Sequence, residues 1–432
     1  MAIDYLFIGD DFTGASDTLA TLAEAGCRVR LFLHPPDPAA VSAERLDAVG
    51  LATDLRALPL RQITDRIDAL ADTVAALSPR ILHYKVCSTF DSSPTVGSIG
   101  AAVLALERHL DPALTAIVGG QPSLGRYCLF GNLFARGPDG AVHRIDRHPV
   151  MSHHPVTPMT EADLRVHLAA QGLDGLALET WPDLGNGLAA RLPAHLAAPR
   201  PRILFDAAAQ SDIEMIGGAL RKLAAGGPLL VVGASSVAEA LTAGPDHPPA
   251  DASRAPAAPS AVPGGPCLVL AGSRSAVTAA QVDAANMFDR MPVSRAALAG
   301  PDLDDLAARA TVRLAQGANV LLHLLPDEIY GLTGGELTDR LATLAAVVLD
   351  RHPVRSLGVA GGDTSSAVVH RLGFESLAFL SRIASGVAIC ASRSSMKARD
   401  GVTLLLKGGQ VGQIDIFDRF AIFCGAGGRL EA

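Results

Sequence analysis

Apolar positions come in short runs, each closed by polar or glycine-rich residues and followed by an apolar pattern of helical period. Residues 5–9 form a strand-length apolar run, Asp10-Asp11 interrupts it, and 15–25 carries helical periodicity with Gly26 in the capping position behind it. Residues 29–33 predict a second strand. The alternation continues with strand-like 81–85, helical 96–110 and strand-like 115–118, then strand 203–206, helix 213–225 and strand 229–232. Strands alternating with helices imply parallel pairing through helical crossovers, an α/β architecture.

The pattern breaks at 244–266, rich in proline and alanine and without apolar periodicity. Such a stretch cannot bury enough surface to offset its ordering entropy, so it predicts a linker. Alternation then resumes: strand 267–271, helix 276–287, strand 320–325, helix 337–349, strand 357–360 and strand 402–406. The expected organisation is domain one at 1–243, linker 244–266 and domain two at 267–432, each domain a largely parallel sheet flanked by helices. A chain of 432 residues exceeds one ordinary core, and 49% apolar residues with few aromatics suit helices packed on sheets.

Charge and cysteine usage narrow the class. A net charge of -8 speaks against a generic nucleic-acid binder, which carries a basic face. The six cysteines fall at no close metal or redox spacing, so reduced thiols in a cytoplasmic protein are expected. The N-terminus carries no basic segment followed by an apolar one, and no apolar run approaches the ~20 residues of a membrane span. No membrane partner is expected. The oligomeric state stays open, a homodimer included.

In open α/β sheets, ligands bind beyond the carboxyl ends of strands, and the unusual residues concentrate there. In GDDFTGASD (9–17), Asp10 and Asp11 sit at a strand end, and Thr13-Gly14 open the next helix. One residue would suffice as a helix cap, so two adjacent carboxylates point to a base or cation site beside a substrate hydroxyl. In HYKVCSTFDSS (83–93), Lys85 ends a strand and Ser88, Thr89 and Asp91 follow; Lys85 either pairs with a carboxylate or phosphate, or covers apolar surface with its stem. Segments 119–132 and 143–159 gather Arg126, Arg144, Arg147, His148, His153 and His154. Arginines near an acidic pair suit an anionic substrate, since guanidinium grips a carboxylate with two parallel bonds. Neighbouring histidines point in different directions and no further ligand follows at zinc spacing, so no protein-held metal is expected.

The second half carries glycine loops at strand ends: Gly272-Ser273-Arg274-Ser275, Gly361-Gly362-Asp363-Thr364-Ser365-Ser366 and Lys407-Gly408-Gly409-Gln410-Val411-Gly412. Glycine admits close backbone approach, and helix starts offer free N–H groups to phosphate oxygens. With no GxGxxG fingerprint and no GxxxxGK[ST] loop, a nucleoside triphosphate held outside a P-loop suits this half better than a dinucleotide.

Taken in order, DDFTGASD, KVCSTFDSS, the GR…G.LF segment at 125–134, HHPVTPM, the DA…D segment at 206–212, VGASSVAEAL, LAGSRSAVTAAQV, VAGGDTSSAVV and LLLKGGQVGQIDIF resemble the four-carbon acid sugar kinase family over nearly the whole length. The resemblance implies an N-terminal sugar-acid-binding domain, a C-terminal nucleotide-binding domain, an active site in a cleft between them, and ATP- and Mg²⁺-dependent phosphorylation of acids such as threonate, erythronate and 3-oxo-tetronate. CSTFDSS looks like the 3-oxo-tetronate branch. GGQPSLGRY and KGGQVG depart from the usual forms, so the particular acid stays open. The implied roles are Asp11, with Asp10, as base; Thr13, Lys85, Ser88, Asp91 and Arg126 around the acid; and Ser273, Ser275, Gly361, Gly362, Asp363, Thr364, Lys407 and Gly408 around ATP. The alternatives weighed are an NAD(P)-dependent oxidoreductase of a small hydroxy acid and a non-catalytic sugar-acid-binding homologue.

Overall fold

A computed structural model describes residues 3–244, 264–298 and 302–428. Most of the expected linker, 245–263, lies outside the described residues. The chain divides into two units. Met1–Val29 joins Pro35–Ala255, and Arg30–His34 joins Pro256–Ala432.

The strands in chain order begin with β1 Ile3–Gly9, β2 Val29–Phe32, β3 Ala48–Ala52, β4 Pro79–Lys85, β5 Leu114–Val118, β6 Arg126–Leu129, β7 Asn132–Arg136 and β8 Val142–Arg144. They continue with β9 Ala177–Glu179, β10 Arg202–Phe205 and β11 Leu229–Gly233. In the first unit the main sheet runs β3-β1-β4-β11-β5-β10-β9, every pairing parallel. Its inner strands are buried on both faces, which is why they read as near-continuous apolar runs: all of β5 and β11 is buried. Register aligns the strand ends that matter. Gly9 lies opposite Ala52 and Lys85, Lys85 opposite Gly233, and Gly233 opposite Val118.

The second unit contains β12 Cys267–Ala271, β13 Phe288–Val293, β14 Asn319–Leu324, β15 Ser356–Ala360, β16 Ser376–Ala384, β17 Val387–Arg393 and β18 Thr403–Lys407. The order is β13-β14-β12-β15-β18-β17-β16-β2, parallel as far as β18 and antiparallel beyond it. Helix Ile416–Gly425 lays Phe417, Phe420 and Phe423 against Val269, Leu321 and Leu405, the core of this unit. Ala271 lies opposite Ala360, and Ala360 opposite Lys407. Both units are therefore α/β, each a largely parallel sheet flanked by helices.

Several elements depart from the sequence expectation. Residues 126–144, where no strand is expected from the sequence, form the antiparallel ribbon β6-β7-β8. Its tight turn places Phe130 and Gly131 both at positive φ, and Phe130 is not a residue that advertises such a turn. The hairpin β16-β17 also went unread, because its bulges break strict alternation. Predicted strand 29–33 contributes Leu31 and Phe32 to the second unit, where they pair with Leu377 and Ser376.

Candidate active site

The carboxyl ends of β1, β3 and β4 assemble a charged cluster from residues that interrupt apolar runs. Asp10, 3% exposed, has both carboxylate oxygens held by the Arg56 fork, Nε to Oδ2 at 3.0 Å and Nη2 to Oδ1 at 2.8 Å. Its backbone is fixed as well: its N–H donates to the Lys85 carbonyl, and its carbonyl accepts from Arg56 N–H. Asp11 caps helix Phe12–Glu24, its Oδ1 accepting from Gly14 N–H at 2.9 Å. The same Oδ1 lies 3.1 Å from Arg56 Nη2 and 3.5 Å from Lys85 Nζ. All of these contacts fall on Oδ1, so Oδ2 carries none of them.

Lys85 reaches Asp11 only because position 14 is glycine. A Cβ there would fall 1.6 Å from Lys85 Nζ. Burial raises both carboxyls, but for Asp11 the charges of Arg56 and Lys85 and the Gly14 N–H outweigh it and hold the group below its usual range. For Asp10 burial prevails and the group is raised despite Arg56 and Lys85. Arg56 loses from burial but gains more from Asp10 and Asp11, so it stays charged.

The loop after β4 continues the cluster. Cys87 Sγ lies 2.9 Å from Thr89 Oγ1, which donates to Asp91 Oδ1. Thr89 and Asp91 are buried, while Ser88 is half-buried with a hydroxyl that enters no hydrogen bond among the described residues. Burial raises the Cys87 thiol to about 11, and it also feels Asp91, Arg56 and Lys85. Arg126 donates Nη1 to the Leu124 carbonyl at 2.7 Å, but its buried Nε has no partner among the described residues, and burial lowers its pKa. Thr13 Oγ1 is likewise buried without a partner among the described residues. A desolvated guanidinium with no carboxylate partner among the described residues suits an incoming acid.

The other basic residues of this region are spent locally. Arg144 bonds Asp146 through Nε and Nη2, and Arg147 lies 3.7 Å from the same carboxylate. His148 Nδ1 accepts from Val150 and Met151 N–H, and His154 Nδ1 from Thr157 N–H. Asp206 accepts from the N–H groups of Phe130, Gly131 and Trp181, holding the turn of the ribbon.

In the second unit, the ends of β12, β15 and β18 bring the glycine loops together. Gly361 has φ +123°, open to glycine, and opens helix Gly362–Arg371 without a side-chain cap; its N–H donates to the Lys407 carbonyl. Thr364 is buried and Asp363 exposed. A Cβ on Gly272 would meet Thr364 Oγ1 at 2.2 Å, and one on Gly409 would meet Ser273 Oγ at 2.3 Å, so the loops touch backbone to side chain. Ser275 caps helix Ala276–Asp283 and also donates to the Gly409 carbonyl, so its hydroxyl faces inward. Lys407 is 0% exposed, donates to Thr278 Oγ1 at 3.3 Å and lies over the Phe417 ring. Among the described residues no carboxylate pairs with it, and burial pushes it down to about 8.

A sugar-binding N-terminal domain family matches residues 5–241, and a nucleotide-binding C-terminal domain family matches 268–417. The chain belongs to the four-carbon acid sugar kinase family. Relatives in that family include the 3-oxo-isoapionate kinase of Paraburkholderia graminis, 34% identical over 95% of this chain and 92% of that one. The 3-oxo-tetronate kinases of Methylobacterium radiotolerans and Burkholderia multivorans are 34% and 32% identical, covering 95% of this chain and 97% and 95% of theirs. In fold, the chain is similar to a Salmonella typhimurium LT2 crystal structure, with TM-score 0.77 and 24% identity over 97% of this chain and 98% of that one. Haemophilus influenzae protein HI1011 gives 0.70 and 24% over 96% and 99%.

Sequence reasoning missed Arg56, which pairs with Asp10 and Asp11, and Thr278 and Gln281, which bond the loop after Lys407. Arg56 follows β3, a strand whose glycine-containing run gave no signal, so it had no strand end to belong to. Thr278 and Gln281 look like ordinary polar positions of a helix, and only the structure places them under the Lys407 loop.

Proposed function

We propose that this chain is an ATP-dependent kinase that phosphorylates a hydroxyl of a four-carbon sugar acid of the 3-oxo-tetronate, threonate or erythronate type. The observation that carries the reading is Asp11: Oδ1 is fastened by Gly14 N–H, Arg56 and Lys85, which leaves Oδ2 to accept a proton. A carboxylate held ionised and aimed in this way suits the base for an attacking hydroxyl, while Asp10 and Arg56 form its support. Thr13, Lys85, Ser88, Asp91 and Arg126 would orient the acid, with Arg126 on its carboxylate.

In the second unit, Ser273, Gly361, Gly362, Asp363, Thr364, Lys407 and Gly408 would hold ATP, and Ser275 would support them from behind. Lys407 supplies charge without an internal counter-ion, a need that a triphosphate satisfies. Among the described residues no group of three metal-ligating side chains could hold an ion alone. Mg²⁺ is therefore assigned to the phosphates it would arrive with, where it neutralises their charge and keeps several waters. Phosphoryl transfer needs mainly positioning and charge stabilisation, and these are what the two sets of residues offer.

The test is ADP release with Mg·ATP and a panel of 3-oxo-tetronates, 3-oxo-isoapionate, threonate and erythronate. Acid-dependent turnover is expected with at least one; ADP release that ignores every acid would overturn the reading.

A further inference from the structure

A single helix holds several carbonyls of the loop after β18. Helix Ala276–Asp283 presents Ser275, Thr278 and Gln281 at intervals of three, hence on one face. Ser275 Oγ and Thr278 Oγ1 both donate to the Gly409 carbonyl, the latter at 2.9 Å. Gln281 Nε2 donates to the carbonyls of Val411, Gly412 and Gln413 at 3.2, 2.9 and 3.0 Å. Thr278 and Gln281 are each 1% exposed, so these contacts are built into the core of the unit.

Peptide units are planar and trans, so each carbonyl points opposite to the N–H of the following residue. Pinning the carbonyls of 409, 411, 412 and 413 toward the helix turns the N–H groups of Gln410, Gly412, Gln413 and Ile414 to the other side. None of these four N–H groups donates a hydrogen bond among the described residues, and Gln410, Gln413 and Ile414 are exposed. Successive free amides on one side of a glycine-containing loop make a concavity for anions. A second observation points the same way. Lys407 immediately precedes the loop, is buried with no carboxylate partner among the described residues, and donates to the same Thr278 hydroxyl that holds Gly409.

We propose that Thr278 and Gln281 are positioning residues that aim the amides of Gln410, Gly412 and Gln413 at the phosphates of the nucleotide. The inference rests on the reading that this unit holds ATP, and it assigns the phosphate-facing amides to a segment past Lys407-Gly408. Neither side chain touches the ligand. Each acts through the peptide planes it holds.

Kinetics of Thr278→Val, Thr278→Ser and Gln281→Met in the full chain test this. Thr278→Val and Gln281→Met are expected to raise KM for ATP about tenfold, with KM for the sugar acid unchanged, and Thr278→Ser is expected to bring ATP KM back toward the parent value. Unchanged ATP KM, or equal rises in both KM values, would overturn the proposal. Hydrogen exchange of the unmodified chain gives an arm that does not depend on the variants folding: Gln410, Gly412 and Gln413 should gain protection when Mg·ATP is added. If Mg·ATP raises the melting temperature yet leaves these amides unprotected, the proposal fails while the kinase reading stands. If Mg·ATP produces no thermal shift, both fail.

Discussion

Lys85 and Lys407 occupy corresponding places in the two units and are treated in opposite ways. Each is the last residue of an inner strand, 4% and 0% exposed respectively. Lys85 has a carboxylate within the fold, Asp11 Oδ1 at 3.5 Å, itself tied to Arg56. Lys407 has a threonine hydroxyl and an aromatic face. A buried charge with its counter-ion inside the protein is balanced before any ligand comes, and serves to hold that counter-ion in one geometry. A buried charge without one is costly until a ligand brings the balance. The first arrangement suits a base that must stay ionised; the second suits a site for a polyanion.

The largest expected effect breaks the first arrangement at its working atom. Asp11→Asn keeps the shape and the helix cap but cannot accept a proton, and should lower kcat by roughly a thousandfold, the range for a lost general base. The melting shift with Mg·ATP should remain. Turnover within a few-fold of the parent would remove Asp11 from the base role.

Arg56→Met attacks the support instead. It strips both bonds from Asp10, a carboxylate only 3% exposed, and should destabilise the fold by about 3 kcal/mol, the cost of leaving one half of a buried pair. It should also move the pH profile. Arg56 is among the groups that hold Asp11 below its usual range against the upward push of burial, so its loss raises the Asp11 pKa. The base works when ionised, so the acid limb of kcat/KM should shift to higher pH. A profile that keeps its acid limb in place would show that Arg56 does not govern the ionisation of the base.

What was legible in the sequence follows the same physics. Asp10, Asp11, Lys85 and Lys407 stood out because each ends an apolar run, and a polar residue there has either a partner or a ligand. The inner parallel strands were legible because burial on both faces demands unbroken apolar runs. Arg56 was hidden because its partner lies 46 residues away and the strand before it, β3, contains Gly50 where Phe7 packs. Thr278 and Gln281 were hidden because a polar residue on a helix is unremarkable until its face is known. The ribbon β6-β7-β8 was hidden because its strands are short and mixed in character, and its turn sits on Phe130 and Gly131.

The sharpest use of the comparison is Lys407→Met, where stability and binding should move in opposite directions. Burial pushes Lys407 down to about 8, against an ordinary value of 10.5. A lysine depressed in the folded state binds its proton more tightly when unfolded. Below pH 8 its charge is carried in both states and counts against the fold; stability then rises as pH climbs from about 8 toward 10.5. At neutral pH the penalty is roughly 3 kcal/mol, so the ligand-free Met variant should be more stable than the parent by up to that amount, less whatever the Thr278 contact returns. The thermal shift with Mg·ATP should meanwhile collapse. The parent offers a companion measurement: phosphate beside Lys407 raises its pKa, so binding near pH 9 should take up a proton, seen as a calorimetric heat that changes with the ionisation enthalpy of the buffer. A Met variant that is less stable without ligand and still shifts with Mg·ATP would mean that Lys407 belongs to the core and not to the nucleotide.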